Sequence, residues 1–184
     1  MLGRYDFAHV VCMTKYKKNF RIESARLKGW DYSNPWWYYV TLNTKGHKEW
    51  FGTIERNKMV LNGIGEHAEH SWKLIPNHFL NVELDLYVIM PNHIHGIVII
   101  NPTVETPDRA SLHSSALGQI MNQFKGSVKR WANKNGYSTF CWQTRFYDRI
   151  IRNEKELYNI RKYIEQNPLR WELDKDQLEN IFDL

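Results

Sequence analysis

The sequence predicts an α+β fold in which helices pack on an antiparallel sheet. Three observations lead there. Short runs rich in aromatic and β-branched residues alternate with longer runs whose apolar residues recur every three or four positions. The links between most of these runs are short and carry turn residues, which favours one domain of neighbouring elements. The longest apolar stretch, residues 84–100, is split by Pro91 and Asn92 into two pieces of strand length.

The elements follow in order. Residues up to about Gly29 mix basic and apolar side chains without a sustained period and read as an arm or irregular cover. Asn34-Pro35 is a turn signal, and residues 36–44 (WWYYVTLNT) have strand composition. Lys45-Gly46 predicts a tight turn into a hairpin partner over residues 49–55 (EWFGTIE), and Asn57-Lys58 turns the chain again before Met59-Val60-Leu61. Ile64, Ala68, Trp72 and Ile75 fall at helical spacing, with Pro76 ending the run. Residues 82–90 (VELDLYVIM) and 93–100 (HIHGIVII) read as buried strands on either side of Pro91-Asn92, and residues 101–111 as a loop. Ser114 is placed to cap a helix carrying Leu117, Ile120, Met121, Phe124, Val128 and Trp131 on one side, with Asn135-Gly136 ending it. A strand is predicted over residues 146–151. Asn153 then caps a helix with Leu157, Ile160 and Ile164, which Pro168 stops, and a short acidic helix starts near Asp174.

A chain of 184 residues with 42% apolar and 24% charged residues is long enough for a true core. Eight Trp, ten Tyr and eight Phe suit both a core and surfaces that stack on bases. A net charge of +5 and a pI near 9.1 are compatible with nucleic acid without demanding it. Cys12 and Cys141 lie far apart with no Cys-x-x-Cys spacing, so they read as reduced thiols. No apolar run reaches membrane-span length and the first residues lack a secretory apolar core, so a cytoplasmic protein with no membrane partner is expected.

Chemistry concentrates at two places. In a strand, His93 and His95 point to the same face and can grip one metal ion, or they can be structural. An imidazole next to so apolar a segment needs a partner, and a divalent ion is one. In a helix, Tyr163 and Asn167 share a face, on the flank of the arc made by Leu157, Ile160 and Ile164. Tyr163 presents a phenol at a cleft or packs at the core edge; Asn167 is a ligand or a cap before Pro168. Lys125, Lys129, Arg130 and Lys134 line the polar side of one helix, and Arg145, Arg149 and Arg152 surround the last strand. Together they are either a solvated surface or a set that neutralises backbone phosphates. Trp36, Trp37, Trp142 and Tyr147 are core or base-stacking residues.

The segments YVIMPNHIHGIVII and CWQTRFYDRIIRNEKELYNIRKYIEQNP resemble those of single-tyrosine HUH transposases. RLKGWDYSNPWWYYVTLNT and VELDLYVIMPNHIHG point within that family to the REP-associated tyrosine transposases. The resemblance spans roughly residues 20–170, leaving 1–20 as an unassigned arm and 171–184 as a tail. It implies a ferredoxin-like, RRM-like sheet, His93 and His95 as metal ligands with Asn167 as the third, and Tyr163 as nucleophile. Many relatives carry Gln where Asn167 stands; Asn still offers a carbonyl oxygen. Relatives often read Tyr-x-x-His where this chain reads Tyr147-Asp148-Arg149.

The implied reaction is metal-dependent cleavage and rejoining of single-stranded or hairpin DNA through a 5′-phosphotyrosine, with Mg²⁺ or Mn²⁺ as the ion. A phenol is a poor nucleophile at neutral pH because its pKa lies near 10, so a Lewis acid on the phosphate suits it. The alternative is a domesticated protein that binds structured DNA without cleaving it. The resemblance leaves open a monomer or a homodimer that exchanges its tyrosine helix, and a cytoplasmic protein associated with the nucleoid when bound to DNA.

Overall fold

The computed structural model describes residues 13–16, 19–22, 30–32, 34–102 and 117–182. The chain divides into two compact units, Met1–Trp30 and Asp31–Leu184. In the first, β1 (Met13–Tyr16) and β2 (Asn19–Ile22) form an antiparallel hairpin, where the sequence led us to expect an irregular arm. Thr14, Tyr16, Phe20 and Ile22 supply the strand propensity that intervening basic residues obscure.

The second unit contains β3 (Trp36–Asn43), β4 (Gly52–Glu55), β5 (Lys58–Leu61), α1 (Gly63–Lys73), α2 (Ile75–His78), β6 (Val82–Ile89), β7 (His93–Ile100), α3 (Leu117–Lys134), β8 (Tyr147–Ile150) and α4 (Glu154–Phe182). Its main sheet is antiparallel throughout, in the order β6-β7-β3-β8. With the β4-β5 hairpin and α2 taken as insertions, β3-α1-β6-β7-α3-β8 is the ferredoxin-like strand–helix–strand–strand–helix–strand order. The expected α+β fold is therefore present.

Side-chain alternation splits the sheet into two packed layers. Tyr38, Val40, Leu42, Ile94 and Val98 are buried on the face that meets α1 and α3. There Trp72 of α1 lies against Phe124 of α3, ring centroids 5.2 Å apart, and over Gly96. A Cβ at Gly96 would come within 2.3 Å of Trp72 Cζ2. The contact is tight enough that Trp72 Nε1 is buried with no hydrogen-bond partner, a penalty of about 1–3 kcal/mol that the surrounding packing outweighs. On the other face Tyr39 and Ile97 pack with Ile151 and with Ile164 of α4, supported by Trp37, Leu86, Val88, Leu157 and Ile160.

Three expectations are corrected. Residues 36–44 do not form a hairpin with 49–55: β3 is a central strand with both edges taken by β7 and β8, and β4 pairs with β5 instead. A 3-10 turn at Lys45–His47 leads the chain away, and the N–H groups of Trp50 and Phe51 donate to the Pro91 carbonyl at 2.7 and 3.0 Å. Arg56 and Asn57, both at positive φ (51° and 61°), make the two-residue turn of the real hairpin. Pro76 does not close the helix but opens α2, since a proline is tolerated in a first turn. Pro168 does not stop α4, and no separate helix starts near Asp174: one helix runs from Glu154 to Phe182. Proline removes one backbone bond, and side-chain contacts on both sides of it (described below) offset that loss. Ser114 and most of the expected 101–111 loop lie outside the described residues.

Gly96→Ala is expected to lower stability by about 1–3 kcal/mol, since Trp72 must shift to admit a methyl group. The urea-unfolding midpoint measures it, and an unchanged midpoint would show that the indole repacks freely.

Candidate active site

The chain reaches His93 through a clamped turn. Met90 N–H donates to the His93 carbonyl at 2.8 Å, the Asn92 carbonyl accepts from Thr44 N–H at 2.9 Å, and Thr44 Oγ1 donates to the Lys48 carbonyl at 2.7 Å. From there β7 runs beside β3 with His93 opposite Asn43 and His95 opposite Thr41. The register continues sideways to Val88 on β6 and Tyr147 on β8, so Val88, His95, Thr41 and Tyr147 form one row on the α4 face.

Helix α4 is held to that face at its start. Asn153 Oδ1 accepts from Glu156 N–H at 2.9 Å, and Glu156 returns a carboxylate oxygen to Arg152 N–H at 2.9 Å. The other Glu156 oxygen takes the guanidinium of Arg149 on β8. Farther along, Arg161 pairs with Asp85 of β6 at 2.7 Å. About one turn past Arg161, Ile164 is fully buried, so its neighbours on the helix flank turn toward the sheet.

The structure brings all four candidate residues together. The His93 and His95 rings are 4.5 Å apart, and the Tyr163 ring lies 5.2 Å from His95 at 66°. Asn167 is buried, and its side chain lies close enough to His93 to act on that ring's protonation, while Tyr163 keeps 37% of its surface exposed. Both imidazoles are anchored through Nδ1. That of His95 meets Tyr39 Oη at 2.8 Å and Thr41 Oγ1 at 2.9 Å; that of His93 meets Asn92 Oδ1 at 2.6 Å. Burial is the chief cause that pushes the His93 pKa down to about 4 and the His95 pKa down to about 3. His47 adds to the fall at His93 while Asn167 opposes it; His93 adds to the fall at His95. Burial also raises the Tyr39 phenol, which stays protonated at neutral pH.

Two neutral rings with Nδ1 engaged have Nε2 left for a ligand, and the Asn167 carbonyl adds a third donor. This set fits one divalent ion with coordination positions open. No group of three or more His, Cys, Asp or Glu side chains is gathered among the described residues, so a three-donor site here depends on the amide.

The predicted cations are placed unequally. Lys125 Nζ donates to the carbonyls of Gln143 (2.7 Å) and Thr144 (3.2 Å), and burial lowers its pKa. Lys129 donates to the Ser138 and Phe140 carbonyls. Both hold the 138–144 segment in place. Arg130 and Lys134 are exposed on α3, on the sheet face opposite the histidine pair. Arg145 and Arg152 are exposed, and Arg149 is tied to Glu156. Trp142 sits in a cluster with Phe51, Phe124 and Phe140, its Nε1 donating to the Lys125 carbonyl, whereas Tyr147 is 42% exposed beside Tyr39.

Sequence reasoning missed two residues at the site. The Arg170 guanidinium lies 5.5 Å from the Tyr163 ring centre, and the Trp171 ring 5.9 Å from that of His93. They stand seven and eight positions after Tyr163, two helical turns on, and a helix ending at Pro168 would have hidden them.

The family model described as transposase IS200-like matches residues 49–167, well over half of the chain. The chain belongs to that family. An "Uncharacterized protein" of Haemophilus influenzae is 36% identical over 174 residues, spanning 88% of this chain and 97% of the relative. A second protein of that organism, carried under the name "Putative REP-associated tyrosine transposase", is 26% identical over 135 residues, spanning 69% and 73%. A solved REP-associated tyrosine transposase bound to a REP hairpin aligns with a TM-score of 0.48 and 21% identity, covering 86% of this chain and 74% of that one. No helix among the described residues is long and apolar enough to cross a membrane.

The two depressed histidine values make the metal-free protein acid-sensitive. Above the ordinary value of 6.5 both rings are neutral folded or unfolded; as pH falls the unfolded chain takes protons first, so stability drops from 6.5 down through about 4 and about 3. Between pH 7 and pH 5 the expected loss is up to about 2 kcal/mol per histidine. Urea titrations in EDTA measure it, and the double variant His93→Gln/His95→Gln should lose most of this slope.

Proposed function

We propose that this transposase-family chain cleaves and rejoins single-stranded or hairpin DNA, with Tyr163 as the nucleophile. The observation that carries the reading is the meeting of a half-exposed phenol with one half-buried and one buried imidazole and a buried amide. A packed core tyrosine would not keep 37% of its surface open beside such a group.

In this reading the Tyr163 oxygen attacks the scissile phosphorus, the bond to the 3′-oxygen breaks, and a 5′-phosphotyrosine forms. The proton lost from the phenol is balanced by one gained on the departing 3′-oxygen. A 3′-hydroxyl attacking the phosphotyrosine reverses the step, so rejoining needs no ATP. A divalent ion, Mg²⁺ or Mn²⁺, held by His93, His95 and Asn167 would supply Lewis-acid polarisation of the phosphate. Burial keeps both imidazoles unprotonated and so ready to act as donors. Arg170, over the Tyr163 ring, places positive charge where phosphate charge would gather. The 26% identical relative carries a REP-associated name, and this makes a REP sequence the substrate to try first.

Incubation with a labelled hairpin oligonucleotide and Mn²⁺, followed by a denaturing gel, tests the reading. The wild-type chain is expected to give a slower-migrating covalent species, and Tyr163→Phe none, with DNA binding kept within about threefold as for loss of a single hydroxyl. A covalent species that persists in Tyr163→Phe overturns the assignment of the nucleophile. Binding without any covalent species in the wild type leaves the DNA-binding alternative.

A further inference from the structure

Asn92 lies between two groups that fix which way its amide faces. Its Nδ2 is 3.0 Å from the His47 carbonyl and its Oδ1 is 2.6 Å from His93 Nδ1. A backbone carbonyl only accepts, so Nδ2 must donate to it. Turning the amide over would set two oxygens against each other at the His47 contact. With the amide fixed, Oδ1 is an acceptor and the partner nitrogen on His93 must carry the hydrogen. Placing the proton on Nε2 instead would oppose two lone pairs across 2.6 Å. A neutral imidazole, the form that can bind a metal, holds one proton, and this contact places that proton on Nδ1.

Asn92 is in turn held rigidly. It is 9% exposed, and its own carbonyl accepts the N–H of Thr44. The far end of the relay, His47, adopts φ 53° directly after Gly46 at φ 65°. A non-glycine residue seldom takes that conformation, so the Asn92 bond to its carbonyl helps to fix a turn that would otherwise relax. The 45–47 turn and the first residue of β7 are thus joined by one side-chain amide.

The geometry points to Asn92 as a positioning residue that locks His93 in the Nδ1–H tautomer and so turns a basic Nε2 into the cleft. Its significance for metal binding rests on the reading of His93 as a ligand; the tautomer itself does not. Asn92 touches neither Tyr163 nor the site where DNA would react, and acts only through the ring it holds.

Two measurements on the full chain test this and separate it from the functional reading. Nitrogen-15 chemical shifts of the imidazoles in the metal-free protein are expected to show His93 as Nδ1–H in the wild type, and as a tautomer mixture in Asn92→Ala. Mn²⁺ titration followed by electron paramagnetic resonance is expected to show affinity falling roughly 10- to 100-fold in Asn92→Ala, as for loss of other such supporting partners. Asn92→Asp keeps an acceptor for Nδ1–H but sets an oxygen against the His47 carbonyl, so its folded form should keep the Nδ1–H signal and bind Mn²⁺ more tightly than Asn92→Ala without reaching the wild-type value. An Nε2–H signal for His93 in the wild type overturns the inference, as does Mn²⁺ affinity in a folded Asn92→Ala variant equal to that of the wild type. A wild type that binds no Mn²⁺ defeats the reading of the metal site, and the nitrogen-15 result then still decides the tautomer.

Discussion

One strand has to satisfy two opposite layers at once, and the rest of the architecture follows from how β7 does it. Its odd-numbered residues His93, His95 and Ile97 face α4, while Ile94, Gly96 and Val98 face α1 and α3. Because side chains alternate, slipping the register by one residue would push both imidazoles into the layer where Trp72 sits and expose Gly96 to α4. The indole over Gly96 therefore acts on the chemistry from the far side of the sheet: it leaves room only for a hydrogen. The same constraint buries His95 in a row beside Val88 and Thr41, with His93 half-buried on the same face.

The second half of the site comes from a helix that combines structural and chemical parts on one face. Ile160 and Ile164 seat α4 on Tyr39 and Ile97, while Tyr163 and Asn167 stand on the flank of that apolar arc. Glu156 fixes where the helix begins by serving its own first turn and the Arg149 guanidinium together. The Arg149 side chain faces the start of α4, where Glu156 neutralises its charge.

Much of this was legible in the amino-acid order, and the failures share a physical origin. Two-residue spacing in HIHG and four-residue spacing between Tyr163 and Asn167 gave the correct faces, because each depends only on local periodicity. Strand partners did not follow from sequence proximity. Lys45-Gly46 looked like a hairpin turn, yet β3 found its partners in β7 and β8, chosen by burial on both faces. The stop assigned to Pro168 failed for a similar reason, as contacts from Asn167 and Trp171 to His93 lie on both sides of the proline. Lys125 and Lys129 read as an open basic surface, and only the folded path of residues 138–144 shows that they close a loop. The hydroxyls of Tyr39 and Thr41 on His95 were visible as alternate strand residues, but nothing local paired β3 with β7.

The burial of Ile164 between Tyr163 and Asn167 bears on what passing the helix to another molecule would cost. Tyr163 and Asn167 are seated together with the isoleucine between them, which fills the hollow formed by Tyr39, Ile97 and Ile151. Withdrawing it into water would cost about 1.5–3 kcal/mol, and Ile160 and Leu157 would add to that. Trading helices between two copies would therefore have to be reciprocal, each isoleucine vacating one hollow as its counterpart enters. A phenol delivered across subunits would arrive with its own apolar anchor, at the same height above the sheet as the one it replaced.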